Sequence, residues 1–286
     1  MNRVLLSIAG VTMAVESSRD FLLTDRCYPF RVENREPDVT FRLLPGEKPD
    51  FQGLPCLHRG DHRSLYRRGN DLFYVCCSRE APDDVRWFTK QTGDRTDELE
   101  VFLIAEDAWN YVNPLTFVEL SDFMIRQEVM ILHSSLIAWQ GKGIVFTAPS
   151  GTGKSTQAEL WKRYRGADIL NGDRAMLRRQ DGYRAYGSPY AGSSGIYRNE
   201  SVPLTGIVVL RQAPFNRLRR MKQREAYLAL LSQMSVSPIS RDTVEKQSQW
   251  LLALIEAVPV WLLECLPDEG AVNTLFEAWK EDCNAT

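Results

Sequence analysis

The string Ala148-Pro149-Ser150-Gly151-Thr152-Gly153-Lys154-Ser155, followed by Thr156, is the part of the chain whose residue types and order point to a definite chemistry. It follows the pattern G-x-x-x-x-G-K-[ST], with Ala148 in place of the first glycine, where the residue only has to end a strand. Gly151 and Gly153 let successive backbone N–H groups curl toward an anion with no Cβ in the way. The helix that follows directs its positive end at the same point. Lys154 supplies a point charge for the β- and γ-phosphates, and Ser155 offers a hydroxyl to Mg²⁺. The expected ligand is a nucleoside triphosphate, ATP with Mg²⁺, held by residues 148 to 156.

Such a loop needs a carboxylate at a neighbouring strand end to hold the metal shell. Asp173 stands nineteen positions after Lys154, in Ala167-Asp168-Ile169-Leu170-Asn171-Gly172-Asp173-Arg174. That interval has room for one helix and one turn, so the acid-bearing strand must follow the loop's helix directly. Ser155 and Asp173 are the expected metal ligands. The competing reading is an ordinary aspartate in an Asn-Gly-Asp turn.

The elements that must position these residues can be read from periodicity. His133 to Trp139, a strand that His133 would open, and Ile144 to Ala148 are apolar runs across Gln140-Gly141-Lys142-Gly143, a hairpin whose second strand feeds the glycine loop. Ala158, Trp161 and Tyr164 share one face of the helix after it. Phe117, Leu120, Phe123, Met124 and Val129 fit a helix upstream. Three later stripes read as core-facing helices: Ala226, Tyr227, Leu230, Leu231 and Met234; Leu251, Leu254, Ile255 and Val258; and Val272, Leu275, Phe276 and Trp279, the last capped by Asp268. Strands at 207–210 and 261–263 lie between them. This alternation predicts an α/β catalytic domain over residues 116–286.

Residues 1–115 read as a β-rich domain with no catalytic constellation. Its candidate strands are 41–44, 64–66, 72–76 and 99–104, separated by Pro45-Gly46, Gly69-Asn70-Asp71 and Gly93-Asp94. The first eleven residues carry one positive charge and an apolar run, as a signal peptide would. The alternation of Val11, Met13 and Val15 and the break at Gly10 favour a strand pair instead.

Composition narrows the class. The 286 residues are 44% hydrophobic and 25% charged, with a net charge of -2, which argues against a generic nucleic-acid binder. No run of about 18 apolar residues suits a membrane helix. The six scattered cysteines read as reduced thiols of a cytoplasmic protein. Cys56, His58 and His62 lack a fourth ligand at zinc spacing and read as a surface loop.

From His133 to about Leu210 the chain resembles the catalytic domain of HPr kinase/phosphorylase, whose nucleotide site is shared with ATP-dependent phosphoenolpyruvate carboxykinase. His133 ahead of the loop, the loop itself, and the short-spaced Asn171-Gly172-Asp173-Arg174 carry the likeness. Gly187-Ser188-Pro189-Tyr190-Ala191-Gly192 and the tail from Pro259 to Glu269 are closer still to the peptide-tailoring HPr-kinase-like proteins. The resemblance implies a P-loop kinase fold. It makes Lys154, Asp173 and His133 the candidate catalytic set, with a hydrogen-bonded histidine at a strand start as the equal alternative for His133. Residues 187–195 would form an acceptor-side loop; Arg198 and Arg211 could neutralise charge there but read more simply as solvated surface arginines. HPr kinases carry an Asp-Asp pair where this chain has Gly172-Asp173, which leaves the general base open. They also engage their protein substrate through a glycine-rich segment that is not seen here, so the acceptor is not expected to be HPr.

The implied activity is phosphoryl transfer to a hydroxyl, serine above all, of a peptide, protein or small molecule. A homo-oligomer is compatible with it, and neither nucleic acid nor membrane is an expected partner. The rivals are a nucleotide-binding regulatory protein without turnover and a carboxykinase-type enzyme. The latter would need a dicarboxylate-binding arginine set, for which Arg63, Arg67 and Arg68 are the sequence's candidates, read more simply as a solvated hairpin flank.

Overall fold

The computed structural model describes residues 1–81, 83–93, 97–236 and 241–284. The chain divides into two compact units, one built mainly from residues 1–123 and the other from 124–236 and 242–284. It is an α/β protein with two mixed sheets and few helices.

Among the described residues the first unit is a nine-stranded sheet. Its strands are β1 (Asn2–Ile8), β2 (Val11–Ser17), β3 (Arg31–Val32), β4 (Val39–Pro45), β5 (Cys56–Arg59), β6 (Arg63–Arg68), β7 (Asp71–Cys77), β8 (Val85–Thr92) and β9 (Glu98–Leu103). They lie in the order β3-β1-β2-β4-β9-β8-β7-β6-β5. The opening residues are the strand pair that alternation favours. β1 and β2 pair from Asn2↔Ser17 to Ile8↔Val11, and the turn between them places Ala9 and Gly10 at φ 52° and 74°. Two positive φ values in a two-residue turn match the twist of the strands they join. Gly69-Asn70 turns β6 into β7 as expected, whereas the Gly93-Asp94 turn falls partly outside the described residues. β5 and β8 carry too little alternation to be seen in sequence. An aromatic cluster backs the far strands, with Phe51 stacked on Tyr66 and Phe88 on Phe102 at 4.8 and 4.7 Å between centroids.

The chain enters the second unit within α1 (Leu120–Arg126). Val129, expected on that helix, is the first residue of β10 (Val129–Trp139): Glu128 takes φ 59°, which ends the helical path and turns the chain into the strand. β11 (Lys142–Thr147) returns antiparallel to β10 across Gln140 and Gly141, both at positive φ. Then come α2 (Lys154–Arg165), β12 (Asp168–Asn171), β13 (Arg174–Gln180), β14 (Gly182–Tyr186), β15 (Ser201–Gln212), β16 (Arg217–Arg220), α3 (Gln223–Leu231), α4 (Arg241–Ala257), β17 (Val260–Cys265) and α5 (Glu269–Asn284). Met234 lies beyond α3 and forms a β-bridge to Leu132. Asp268 accepts from Ala271 N–H at 3.0 Å and caps α5 as the sequence suggests.

Two long strands change partners along their length. β10 pairs with β13 through 129–133 and with β11 through 134–139, while β15 pairs with β14 at 201–203, with β11 at 204–209 and with β17 at 207–212. Side-chain alternation then sorts the core into two layers. Ile144, Phe146, Val208, Leu210, Trp261 and Leu263 face α2 and α5. Val145, Ile207, Val260 and Leu262 face the other way, toward residues of α3 and α4. Among the described residues no helix is long and apolar enough to cross a membrane.

Trp161 of α2 is fully buried and meets Trp279 of α5 edge-on at 5.8 Å, which fastens the helix that follows the glycine loop. Trp161→Ala should cost about 3–5 kcal/mol of stability, measured by urea denaturation, because the void it leaves is too enclosed to collapse. A loss below about 1 kcal/mol would contradict this packing.

Candidate functional site

β11, β15 and β17 run parallel, and β12 runs in the same direction as β11 because both are antiparallel to β10. Their carboxyl ends therefore share one edge of the sheet, the edge where open α/β sheets take ligands. The glycine loop leaves β11 there, Gly172-Asp173 leaves β12, Arg211-Gln212 ends β15, and Glu264-Cys265 ends β17.

Gly151 and Gly153 take φ values of 78° and 115°, left-handed positions that suit glycine. Gly153 is the N-cap of α2, and no side chain caps that end. The first-turn N–H groups of a helix have no intrahelical acceptor, so this end presents donors and a positive dipole. The loop is held at its base by Thr152 N–H donating to Pro149 O at 3.3 Å, and at its rim by Gln212 Nε2 donating to Gly151 O at 3.4 Å. Lys154 is only 7% exposed and folds back over the loop, its Nζ donating to Ala148 O at 2.8 Å and Pro149 O at 3.2 Å. Burial pushes its ammonium below the ordinary lysine pKa, and the Asp173 carboxylate partly offsets that. Ser155 and Thr156 are exposed on the same turn.

Asp173 belongs to a tightly tied turn. Asn171, fully buried, accepts at Oδ1 from the N–H groups of Asp173 and Arg174 at 3.1 and 2.8 Å, and its Nδ2 donates to Ser188 O and Tyr190 O. Asp173 O accepts from Ser134 N–H at 2.8 Å. The Asp173 carboxylate then lies 3.8 Å from His133 Nε2 and 3.6 Å from Arg174 Nε. His133 does not open its strand, as the resemblance suggested. It sits in mid-β10, at the point where that strand exchanges β13 for β11 as partner, and pairs with Arg174. Thr147 Oγ1 at the end of β11 donates to His133 O at 2.9 Å. Partial burial holds the imidazole below its ordinary pKa; the Lys154 charge lowers it further, while Asp173 and a hydrogen bond with Gln233 raise it.

The structure thus brings Lys154, Asp173 and His133 to one place beside the glycine loop. It does not bring Arg198 or Arg211 there as free charges: Arg198 pairs with Asp168 and Glu200, and Arg211 with Glu264. Sequence reasoning missed Asn171, Gln212 and Gln233. Only Asn171 had a signal, since Asn-Gly-Asp is a turn string whose first side chain bonds to backbone two and three residues on.

Gly172 has a steric cause. A Cβ there would lie 1.8 Å from Ser194 Oγ and 2.7 Å from Ser194 Cβ. Ser194 is not free to turn away, because its hydroxyl donates to Ala191 O at 2.7 Å and accepts from Ile196 N–H at 3.2 Å. Gly192, at φ 54°, lies so close to Asp173 that a Cβ would meet its Cβ at 2.8 Å. The 187–195 segment is therefore packed onto the acidic turn, and the turn has no room for a second carboxylate beside Asp173.

Among the described residues no group of three or more His, Cys, Asp or Glu is placed to hold a metal. The described cysteines, Cys27, Cys56, Cys76, Cys77 and Cys265, are all free thiols.

No protein-family model matches the chain, and no curated protein matches its sequence. Among solved structures, an HPr(Ser) kinase/phosphatase from Coxiella burnetii aligns at 12% identity with a TM-score of 0.30, over 54% of this chain and 90% of that one. A superposition at that level bears on neither fold nor activity.

Two measurements check the geometry. The His133 imidazole should titrate by NMR below the ordinary value of about 6.5. Lys154→Ala should raise that pKa by removing a repulsive charge, and Asp173→Asn should lower it by removing an attractive one. Shifts of opposite sign would place the three groups wrongly. Separately, Gly172→Ala should destabilise the protein by about 1–3 kcal/mol through overpacking, and adding Ser194→Gly should restore most of the loss.

Proposed function

We propose that this chain is an ATP-dependent kinase that binds Mg-ATP on residues 148–156 and transfers a phosphoryl group to a hydroxyl of a peptide, protein or small molecule. The observation that carries the reading is the meeting, on one carboxyl edge, of an uncapped glycine-loop helix end, the buried Lys154 and the Asp173–His133 pair. The donors of the loop suit phosphate oxygens, and the geometry of positive-φ glycines leaves the cradle open to them. One carboxylate is enough for Mg²⁺, which keeps several waters and is completed by the nucleotide's own phosphates. Ser155 Oγ and the Asp173 carboxylate would hold it, and bound Mg-ATP would supply the phosphoryl group and the neutralising cation.

The remaining work belongs to the chain's own groups. Lys154 exchanges its two loop carbonyls for phosphate oxygens. His133, held below its ordinary pKa, is neutral at physiological pH and can take the acceptor's hydroxyl proton at Nε2 as the oxygen attacks. With Gly172 unable to carry a carboxylate, His133 is the remaining base beside Asp173. The 187–195 segment, tied to the acidic turn through Asn171, would position the acceptor. The reading places the protein where ATP is, in the cytoplasm. The same Gly172 observation favours a second reading, a nucleotide-binding protein without turnover, in which the lost carboxylate reflects lost chemistry.

Calorimetry with Mg-ATP tests the site. Lys154→Ala should weaken binding roughly 10- to 100-fold, the worth of one charge-assisted hydrogen bond to phosphate. Wild-type affinity in that variant would sink the site assignment. Asp173→Asn should leave metal-free nucleotide binding nearly unchanged while cutting phosphoryl transfer by about two orders of magnitude. Tight binding by the wild type, with no transfer to any hydroxyl acceptor or water, would favour the second reading.

A further inference from the structure

Beyond the glycine loop, on the side away from Asp173, two turns form a rigid platform. The β15–β16 turn, residues 213–216, and the β17–α5 turn, residues 266–268, are stitched together by Asn216. Its Oδ1 accepts from Leu266 N–H and its Nδ2 donates to Asp268 Oδ1, both at 2.9 Å, while Ala213 N–H donates to Cys265 O at 3.2 Å. The platform touches the loop's own helix. Gln157, in the first turn of α2, approaches Cys265 Sγ at 3.4 Å and Leu266 O at 3.5 Å through Nε2, and Gln212, one residue before the first turn, reaches Gly151 O.

This platform presents apolar surface to solvent. Phe215 is 46% exposed and Leu266 38% exposed. Phe215 is also electronically prepared: the Arg217 guanidinium lies 5.4 Å from its ring centroid. That guanidinium is fixed, because Arg217 Nε donates to Glu264 Oε2 at 2.9 Å and Arg217 Nη2 binds the same oxygen. Glu264 is nearly buried and also takes Arg211, so the cluster carries two guanidiniums on one carboxylate.

We infer that Phe215, with the anchored Arg217 guanidinium beside it, is the stacking surface for the base of the bound nucleotide. The inference rests on the proposed nucleotide site. Strand order supports the direction: β12 and its Asp173 lie to one side of β11, and β15 and β17 lie to the other. A triphosphate whose terminal group reaches Lys154 and Asp173 must run its nucleoside end toward the platform. An exposed aromatic ring held on cross-linked turns offers a π-face at little ordering cost. Both polar ends of Asn216 are already engaged, so the surface reads a flat ring and not the pattern of its edge. ATP and GTP should therefore bind with similar affinity.

The test compares Mg-ATP with Mg-tripolyphosphate, which has the phosphates and no base, by calorimetry on the full chain. Phe215→Ala should weaken Mg-ATP about tenfold and leave Mg-tripolyphosphate unchanged, with Phe215→Tyr restoring ATP affinity. Unchanged ATP affinity in Phe215→Ala would overturn the inference and leave the phosphate site standing. Equal weakening of both ligands would overturn it as well, by making Phe215 a support of the loop. If wild-type protein binds neither ligand, the nucleotide site falls and the base surface with it.

Discussion

The hydrogen bond from Ser134 N–H to Asp173 O carries more of the site than its size suggests. It joins β10, just past His133, to the acidic turn, at the level where β11 ends and the glycine loop begins. One backbone bond thereby ties the acidic turn to the strand that pairs with β11. Because it is made by main chain, it does not depend on the side chain at either position. Asn171 completes the arrangement from below by filling the turn's inner hydrogen bonds, and its own burial without charge makes it a rigid filler rather than a titrating one.

Electrostatics around this bond is balanced among few groups. Lys154 is depressed by burial and supported by Asp173, and His133 is depressed by burial and by Lys154. Asp173 thus acts on both cations' proton affinities, and Lys154 acts on that of His133. An incoming polyanion would relieve the strain on Lys154 and raise the basicity of His133 together.

Much of this was legible in the chain. The loop, its helix and the hairpin before it are local features, set by glycines, a turn pair and an apolar run. Asp173 could be found because only one helix separates it from Lys154. What sequence could not supply was long-range. The pairing of β11 with β15, the passage of β10 from β13 to β11, and the bond from His133 N–H to Gln233 O join residues far apart in the chain. Val129 shows the same limit on a small scale: its spacing suits a helix, and a left-handed Glu128 decides otherwise. Gly172 read as a departure from a family pattern, and only Ser194, twenty-two positions later, explains it. The charged outer faces of β13 and β14, with Arg178, Arg179 and Arg184, hide those strands from a search for alternation.

The three pairings of β15 have a consequence for how the molecule is born. Gly143 pairs with Leu204, and Ile207 with Val260, so the parallel core is closed only by contacts of long sequence separation, the kind that slow folding. A nascent chain emerging from the ribosome would have its hairpin and glycine loop early, yet the neighbouring strands that flatten and brace that loop would arrive much later. Bracing of the loop's layer therefore waits for β17 and α5, whose residues pack with Trp161 of α2.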